Sequence, residues 1–222
     1  MSSATWDGFT YFTNDQSFLD HIRRGKSEPY SGQLSVVTRY VTAYPSRNRT
    51  MIDVGAHIGS TMLPYSRLFK NVYGFEPNRD TFKLCLQNIQ YNNVTNCKVE
   101  NCAIMDRIVT GKSVSHNTCN DGCIYFKEDP SGNVGSKILD EDPTLSEVDY
   151  IKIDTEGAEI LVIKSALTLI KTWKPLIQAE INGLSERNFN IPSSDLSSLL
   201  HDLGYVRIPT TDFFMHSDYY LF

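Results

Sequence analysis

No segment of this sequence stays apolar for the roughly twenty residues that a membrane-spanning helix requires, so insertion into a bilayer is not expected. Nor is there a lysine- or arginine-rich run. The 26 acidic residues outnumber 21 basic ones for a net charge of −5, and the electrostatic footprint of a nucleic-acid partner is missing. The start, Met1-Ser-Ser-Ala-Thr-Trp-Asp-Gly, has neither the basic nor the apolar part of a secretory leader, which points to the cytoplasm. Cysteine is scarce and odd in number: Cys85, Cys97, Cys102, Cys119 and Cys123, several of them inside apolar runs, fit reduced core thiols better than a disulfide frame. His116, Cys119 and Cys123 could together hold a metal, but no second ligand pair follows.

What is present suits one α/β domain. With 222 residues, 41% of them apolar and 11% aromatic, the chain can bury a full core but has no room for a second catalytic domain. Residues 1–50 read as a helical lead-in, with helices near 17–24 and 33–44, serving as a cap or as an extra packing layer. The domain itself runs over 51–222.

Its most informative stretch is Met51-Ile-Asp53-Val-Gly55-Ala-His-Ile-Gly59-Ser-Thr61, an apolar strand that carries one acid and breaks into a small-residue turn opening a helix over 60–69. Gly55 and Gly59 can take turn geometries closed to other residues and let backbone approach a ligand, while the first N–H groups of the helix favour electron-rich groups. Asp53 narrows the ligand, because a carboxylate there disfavours a pyrophosphate and suits an ammonium. A second strand, Val72-Tyr-Gly-Phe-Glu76-Pro-Asn78, ends in an acid about twenty residues after the turn, the spacing at which α/β nucleotide folds hold a ribose. Gly55-Ala-His-Ile-Gly59 lacks the middle glycine of Gly-x-Gly-x-x-Gly, and no convincing Tyr-x-x-x-Lys pair follows. An NAD-linked oxidoreductase is therefore disfavoured against a user of S-adenosylmethionine, which also carries an adenosine ribose.

Along the rest of the chain, 78–91 reads as a helix with Phe82, Leu86 and Ile89 on one face, and 98–104 as a strand bringing Asn101 to the adenine. Periodicity fades over 106–144, where Ile124-Tyr-Phe126 is the one convincing short strand and 131–136 looks mobile, a composition suited to a lid or acceptor loop. Order returns in the strand 148–154, which passes through Thr155-Glu156-Gly157 into a helix over 158–170. A strand over 175–182, a helix over 193–203 and strands at 205–208 and 219–222 complete the pattern. The alternation predicts a doubly wound, mostly parallel sheet with an antiparallel C-terminal strand and ligands at the carboxyl ends of its strands. Asp53, Glu76, Asn101, Asp154 and Glu180 would then share one rim, where so many acids need ligands, cations or shifted pKa values. Capping the next helix is the plainer role for Asp154.

Ile52-Asp-Val-Gly-Ala-His-Ile-Gly59, Phe75-Glu-Pro77 and Ile151-Lys-Ile-Asp-Thr-Glu-Gly-Ala-Glu159 together resemble the FkbM family of S-adenosylmethionine-dependent methyltransferases, over roughly 51–182. The resemblance implies a Rossmann-like class I methyltransferase fold and O-methylation of a sugar, a glycan or a polyketide-type small molecule. It places Asp53, Gly55 and Gly59 on the methionine side of the cofactor, Glu76 on the ribose, and Asn101 with Ala103 beside the adenine; Ala56, His57, Thr61 and Pro77 complete the seat. Asp154, Glu156 and Glu159 match the family signature, although Glu159 can simply support the fold. Ser165 departs from the glycine many relatives have before the position of Ala166.

A sugar hydroxyl is a poor nucleophile until its proton is removed. Asp154, Glu180 and Asn182 offer oxygen ligands suited to Mg²⁺ or Mn²⁺; in the competing reading Asp154 or Glu156 acts as the base directly. His57, His116 and His216 are the remaining titratable candidates, each read as structural or exposed. The expected activity is O-methylation of a sugar or glycan acceptor, with the chain free to be one domain of a larger glycan-assembling protein. The alternatives are a non-sugar small-molecule acceptor and a non-catalytic Rossmann-like binding module.

Overall fold

The computed structural model describes residues 2–23, 31–115 and 124–219. The chain opens with an antiparallel hairpin, β1 (Ser2–Trp6) and β2 (Phe9–Thr13), reversed at Asp7-Gly8, both of which have positive φ (46° and 71°). An Asp-Gly pair takes that turn at little steric cost, and Phe9, Tyr11 and Thr13 alternate inward along β2. The lead-in is thus not helical throughout: strands precede the expected helices, α1 (Gln16–Arg23) and α2 (Ser31–Ala43).

The domain follows as β3 (Thr50–Val54), α3 (Met62–Tyr65), β4 (Asn71–Phe75), α4 (Arg79–Tyr91) and β5 (Cys97–Glu100). Next come β6 (Ala103–Ile104), β7 (Thr110–Ser115), β8 (Ile124–Glu128) and β9 (Val134–Lys137). The chain then forms β10 (Val148–Ile153), α5 (Glu159–Ser165), α6 (Leu167–Trp173), β11 (Leu176–Ala179), α7 (Leu184–Phe189), α8 (Ser193–Asp202), β12 (Tyr205–Arg207) and β13 (Phe213–His216). Seven strands join in the order β12-β13-β11-β10-β3-β4-β5, with β11, β10, β3, β4 and β5 parallel and β13 antiparallel to both its neighbours. Strand order reverses between β3 and β10, and in a doubly wound sheet the carboxyl ends of such a pair open a crevice.

Both faces of the sheet are covered. Ile52, Ile151, Ile153 and Ile177 pack under α5, α6 and α8 on one side; Met51, Tyr65, Val72 and Tyr150 pack under the hairpin, α2, α3 and α4 on the other. Tyr150 stacks between Tyr65, Phe69 and Phe213. At the sheet's opposite end Asp149, fully buried, takes Arg47 and Arg49, a paired arrangement that makes burial of its charge tolerable.

Several expected elements differ. The helix over 60–69 shrinks to α3. On α4 the inward residues are Thr81, Leu84, Cys85, Asn88 and Ile89, with Leu86 exposed. The strand over 98–104 splits into β5 and β6, and the second of these belongs to a separate four-stranded sheet, β6-β9-β7-β8, built from the region expected to be irregular. Val134 and Ser136 of β9 are buried, so the 131–136 segment is partly strand. The helix over 158–170 divides at Ala166, where Asp140 accepts hydrogen bonds from the amides of Thr168 (2.7 Å) and Leu169 (2.9 Å) and so starts α6 afresh. The last strand is β13 rather than 219–222; residues 220–222 lie outside the described residues. Among the described residues no helix is long and apolar enough to cross a membrane.

Candidate functional site

The rim formed by the carboxyl ends of β3, β4, β5, β10 and β11 carries Asp53, Glu76, Asn101, Asp154 and Glu180, as the alternation of elements predicts. At its centre stands a residue for which the sequence suggested no role. Lys152 on β10 pairs in register with Asp53 on β3, and its Nζ lies 3.3 Å from Asp53 Oδ1 and 3.3 Å from Asp154 Oδ2. Its signals in the sequence are a lysine between two isoleucines of a strand and its place in the motif over 151–159. Asp53 has no solvent exposure, and burial pushes its carboxyl up to about 6 against the pull of Lys152. Its Oδ2 is buried without a hydrogen-bond partner among the described residues.

The turn after β3 is shaped chiefly by the protein itself. Gly55 has φ +84°, and a Cβ there would stand 1.9 Å from the carbonyl oxygen of Asp154, so its missing side chain admits the end of β10. The amides of Gly55 and Ala56 both donate to the carbonyl of Phe75 (2.9 and 3.1 Å). His57, in the left-handed region at φ 50°, donates its amide to Glu76 Oε2 at 2.9 Å. A Cβ on Gly59, at φ +81°, would meet Cys85 Sγ at 3.0 Å, and Ala56 and Thr61 are buried. α3, at four residues, is shorter than the helix expected to open here.

Glu76 is buried and accepts two backbone amides, His57 on Oε2 and Asn78 on Oε1 (2.8 Å). Burial pushes its carboxyl up to about 7, with those amides opposing. Asn78 caps α4 through Asp80 and Thr81, and Asn101 donates Nδ2 to the carbonyls of Glu76 (2.9 Å) and Pro77 (3.1 Å), fixing the loop after β4. Ala103 is buried in β6.

The loop after β10 is rigidly held. Glu156 lies at φ 57°, and a Cβ on Gly157 would meet the carbonyl oxygen of Leu184 at 2.7 Å. Glu159 Oε1 accepts from the Thr155 amide (3.1 Å), the Thr155 hydroxyl (3.0 Å) and the Gly157 amide (3.1 Å), which is a supporting role. From α7, an element the sequence reading missed, Asn188 Nδ2 donates to the Glu156 carbonyl at 2.6 Å. Burial, then Asp154 and Glu180, push the Glu156 carboxyl up to about 7; burial and Asp154 also raise Glu180.

The described residues give no support to the expected Mg²⁺ or Mn²⁺ set. Asn182 turns its Nδ2 toward Glu180 Oε2 (3.0 Å) while its Oδ1 accepts from the Leu184 amide (3.0 Å), so a donor faces the acid where a ligand oxygen is needed. Asp154 is paired with Lys152, and among the described residues no three His, Cys, Asp or Glu side chains are grouped to hold an ion. His216 packs edge-on against Tyr205 at 5.3 Å, away from these acids in the fold; His116, Cys119 and Cys123 lie outside the described residues.

Comparison with known proteins adds three findings. The sequence profile of the Methyltransferase FkbM domain matches residues 53–207, well over half of the chain. A Staphylococcus aureus structure provisionally described as a caffeoyl-CoA O-methyltransferase is similar over 91% of this chain and 90% of its own, at 11% identity and a TM-score of 0.51, a likeness of fold. The methyltransferase FkbM structure from Methylobacillus flagellatus is similar over 77% of this chain at 19% identity and a TM-score of 0.49, and the match spans only 44% of that protein's length. The comparison with curated proteins found no match.

Proposed function

Because this chain belongs to the FkbM methyltransferase family and has the class I methyltransferase fold, we propose that it transfers a methyl group from S-adenosylmethionine to a hydroxyl of a sugar or glycan. The observation that carries this reading is the Asp53 carboxylate: fully buried at the reversal of strand order, held by Lys152 through one oxygen, with the other oxygen unpartnered among the described residues. A buried acceptor of that kind suits a ligand's ammonium group.

Bound there, S-adenosylmethionine supplies an electrophilic methyl group on a positively charged sulfur. Asp53 receives the ammonium of the amino-acid end, inside the turn of Gly55, Ala56, His57, Gly59 and Thr61. Glu76 accepts the ribose hydroxyls with the lone pairs its two backbone amides leave, and Pro77, Asn101 and Ala103 border the adenine. Asp154 or Glu156 would take the acceptor's proton as its oxygen bonds to the methyl carbon and the carbon–sulfur bond breaks; the Glu156 carboxyl, pushed up to about 7, is suited to a general base near neutral pH.

A cleft of about 280 Å³ supports the sugar reading. Phe189, set edge-on to Tyr125, gives it an aromatic wall on which the C–H face of a sugar can lie, and Arg107, Lys127 and Glu128 give polar partners for hydroxyls. Asn188, also in its lining, ties it to the Glu156 loop.

Incubation with methyl-labelled S-adenosylmethionine and separate panels of free sugars, glycans and non-sugar alcohols tests the proposal, with products identified by mass spectrometry. Label in a sugar or glycan is expected. Label only in non-sugar alcohols contradicts the acceptor class, and binding of the donor with no transfer to any panel contradicts catalysis.

A further inference from the structure

We infer that Lys152 is a positioning residue for the donor's amino-acid end, holding Asp53 charged and oriented so that Oδ2 stays available to the ligand's ammonium. The inference rests on the donor site proposed above. Its basis is geometric: the two residues are a directly facing pair on adjacent parallel strands, both almost wholly buried, with Nζ 3.3 Å from Asp53 Oδ1 and Oδ2 left over.

The surroundings make the pairing necessary. Asp53 sits within electrostatic range of the buried thiols of Cys85 and Cys97, and Cys85 Sγ in turn touches Met62 Sδ at 3.8 Å. A carboxylate alone among sulfur and hydrocarbon would take up a proton rather than stay ionised, and a neutral acid attracts an ammonium far less. Lys152 offsets part of that penalty from the adjacent strand while engaging one oxygen of Asp53. Its ammonium also contacts Asp154 at 3.3 Å, so a single cation fixes the spacing between the acid on the donor side and the first acid of the β10 loop. The other side chains of β10 at this end, Tyr150, Ile151 and Ile153, are buried and carry no charge; only Lys152 can do this from within the strand.

A structural ion pair and a positioning residue differ in which ligands they affect. S-Adenosylhomocysteine carries the amino-acid end; 5′-methylthioadenosine keeps the adenosine and the thioether without it. Calorimetry of both ligands on the full chain should show Lys152→Met weakening S-adenosylhomocysteine about tenfold or more, the scale of one charge-assisted hydrogen bond, and leaving 5′-methylthioadenosine within about twofold. Since Lys152→Met strands a buried acid, the second arm compares Asp53→Asn with the paired variant Asp53→Asn with Lys152→Met: because Lys152 acts through Asp53, the two should bind S-adenosylhomocysteine equally, and a further loss in the pair contradicts the inference. Equal loss for both ligands, no loss for either, or failure of both variants to fold makes Lys152 a structural residue and overturns the inference. Failure of the native chain to bind S-adenosylhomocysteine removes the donor site as well, which separates that result from the others.

Discussion

Single residues at this rim are constrained from two directions, by the sheet that carries them and by the loop that crosses them. Gly55 shows both: its positive φ and the Asp154 carbonyl, 1.9 Å from where a Cβ would stand, leave no room for a side chain. Gly55→Ala should cost at least about 2 kcal/mol, lowering the melting temperature by about 4–8 °C in a thermal scan. Glu76 gives a prediction in pH. Its carboxyl is held up at about 7 and that of Asp53 at about 6, and the donor needs both ionised, so S-adenosylmethionine affinity measured by calorimetry should rise from pH 5.5 to 8 and level off. Glu76→Gln should weaken binding and remove the upper part of that rise. The acids were legible in the sequence because each ends an apolar strand. Lys152 was not, because a lysine in a strand ordinarily faces solvent, and only the register between β3 and β10 reveals its partner. Gly55 was legible as a necessary glycine, but the Asp154 carbonyl it makes room for was not, since that atom comes from far along the chain.

At the scale of elements, the long strands and α4 were read from their periodicity, and the misreadings have local causes. The hairpin carried an Asp7-Gly8 turn signal and a period-two pattern, but the aromatic residues around it masked both. Thr110-Gly-Lys-Ser-Val-Ser115 is too polar to announce a strand; it forms one by pairing with β8 and β9. The break between α5 and α6 depends on Asp140, which no pattern within 158–170 could indicate. Asp140→Ala should cost about 1 kcal/mol, seen as a melting temperature lower by about 2–4 °C. Affinity for S-adenosylmethionine should stay unchanged in that variant, because Asp140 bonds the amides of Thr168 and Leu169 and none of the rim residues.

Across the whole molecule, the sheet gathers more negative charge at one rim than Lys152 can balance. Burial holds Asp53, Glu76, Glu156, Glu159 and Glu180 above their ordinary values. A carboxyl with a raised folded-state pKa keeps protons that the unfolded chain has released, so its stabilising contribution is full below about pH 4.5 and is lost as pH climbs through about 7. His216, lowered chiefly by burial, opposes this as one group; Asp129, Asp142 and Asp218, lowered, act below about pH 4. The ligand-free protein should therefore melt at a lower temperature at pH 8 than at pH 5.5, and saturating S-adenosylmethionine should narrow the difference.

The most direct measurement is the titration of S-adenosylmethionine into the native chain and into Asp53→Ala, each checked by circular dichroism. The account predicts one donor bound per native chain and affinity reduced about tenfold or more in a natively folded variant. Equal affinity for the two proteins, or no binding by the native chain, would contradict it.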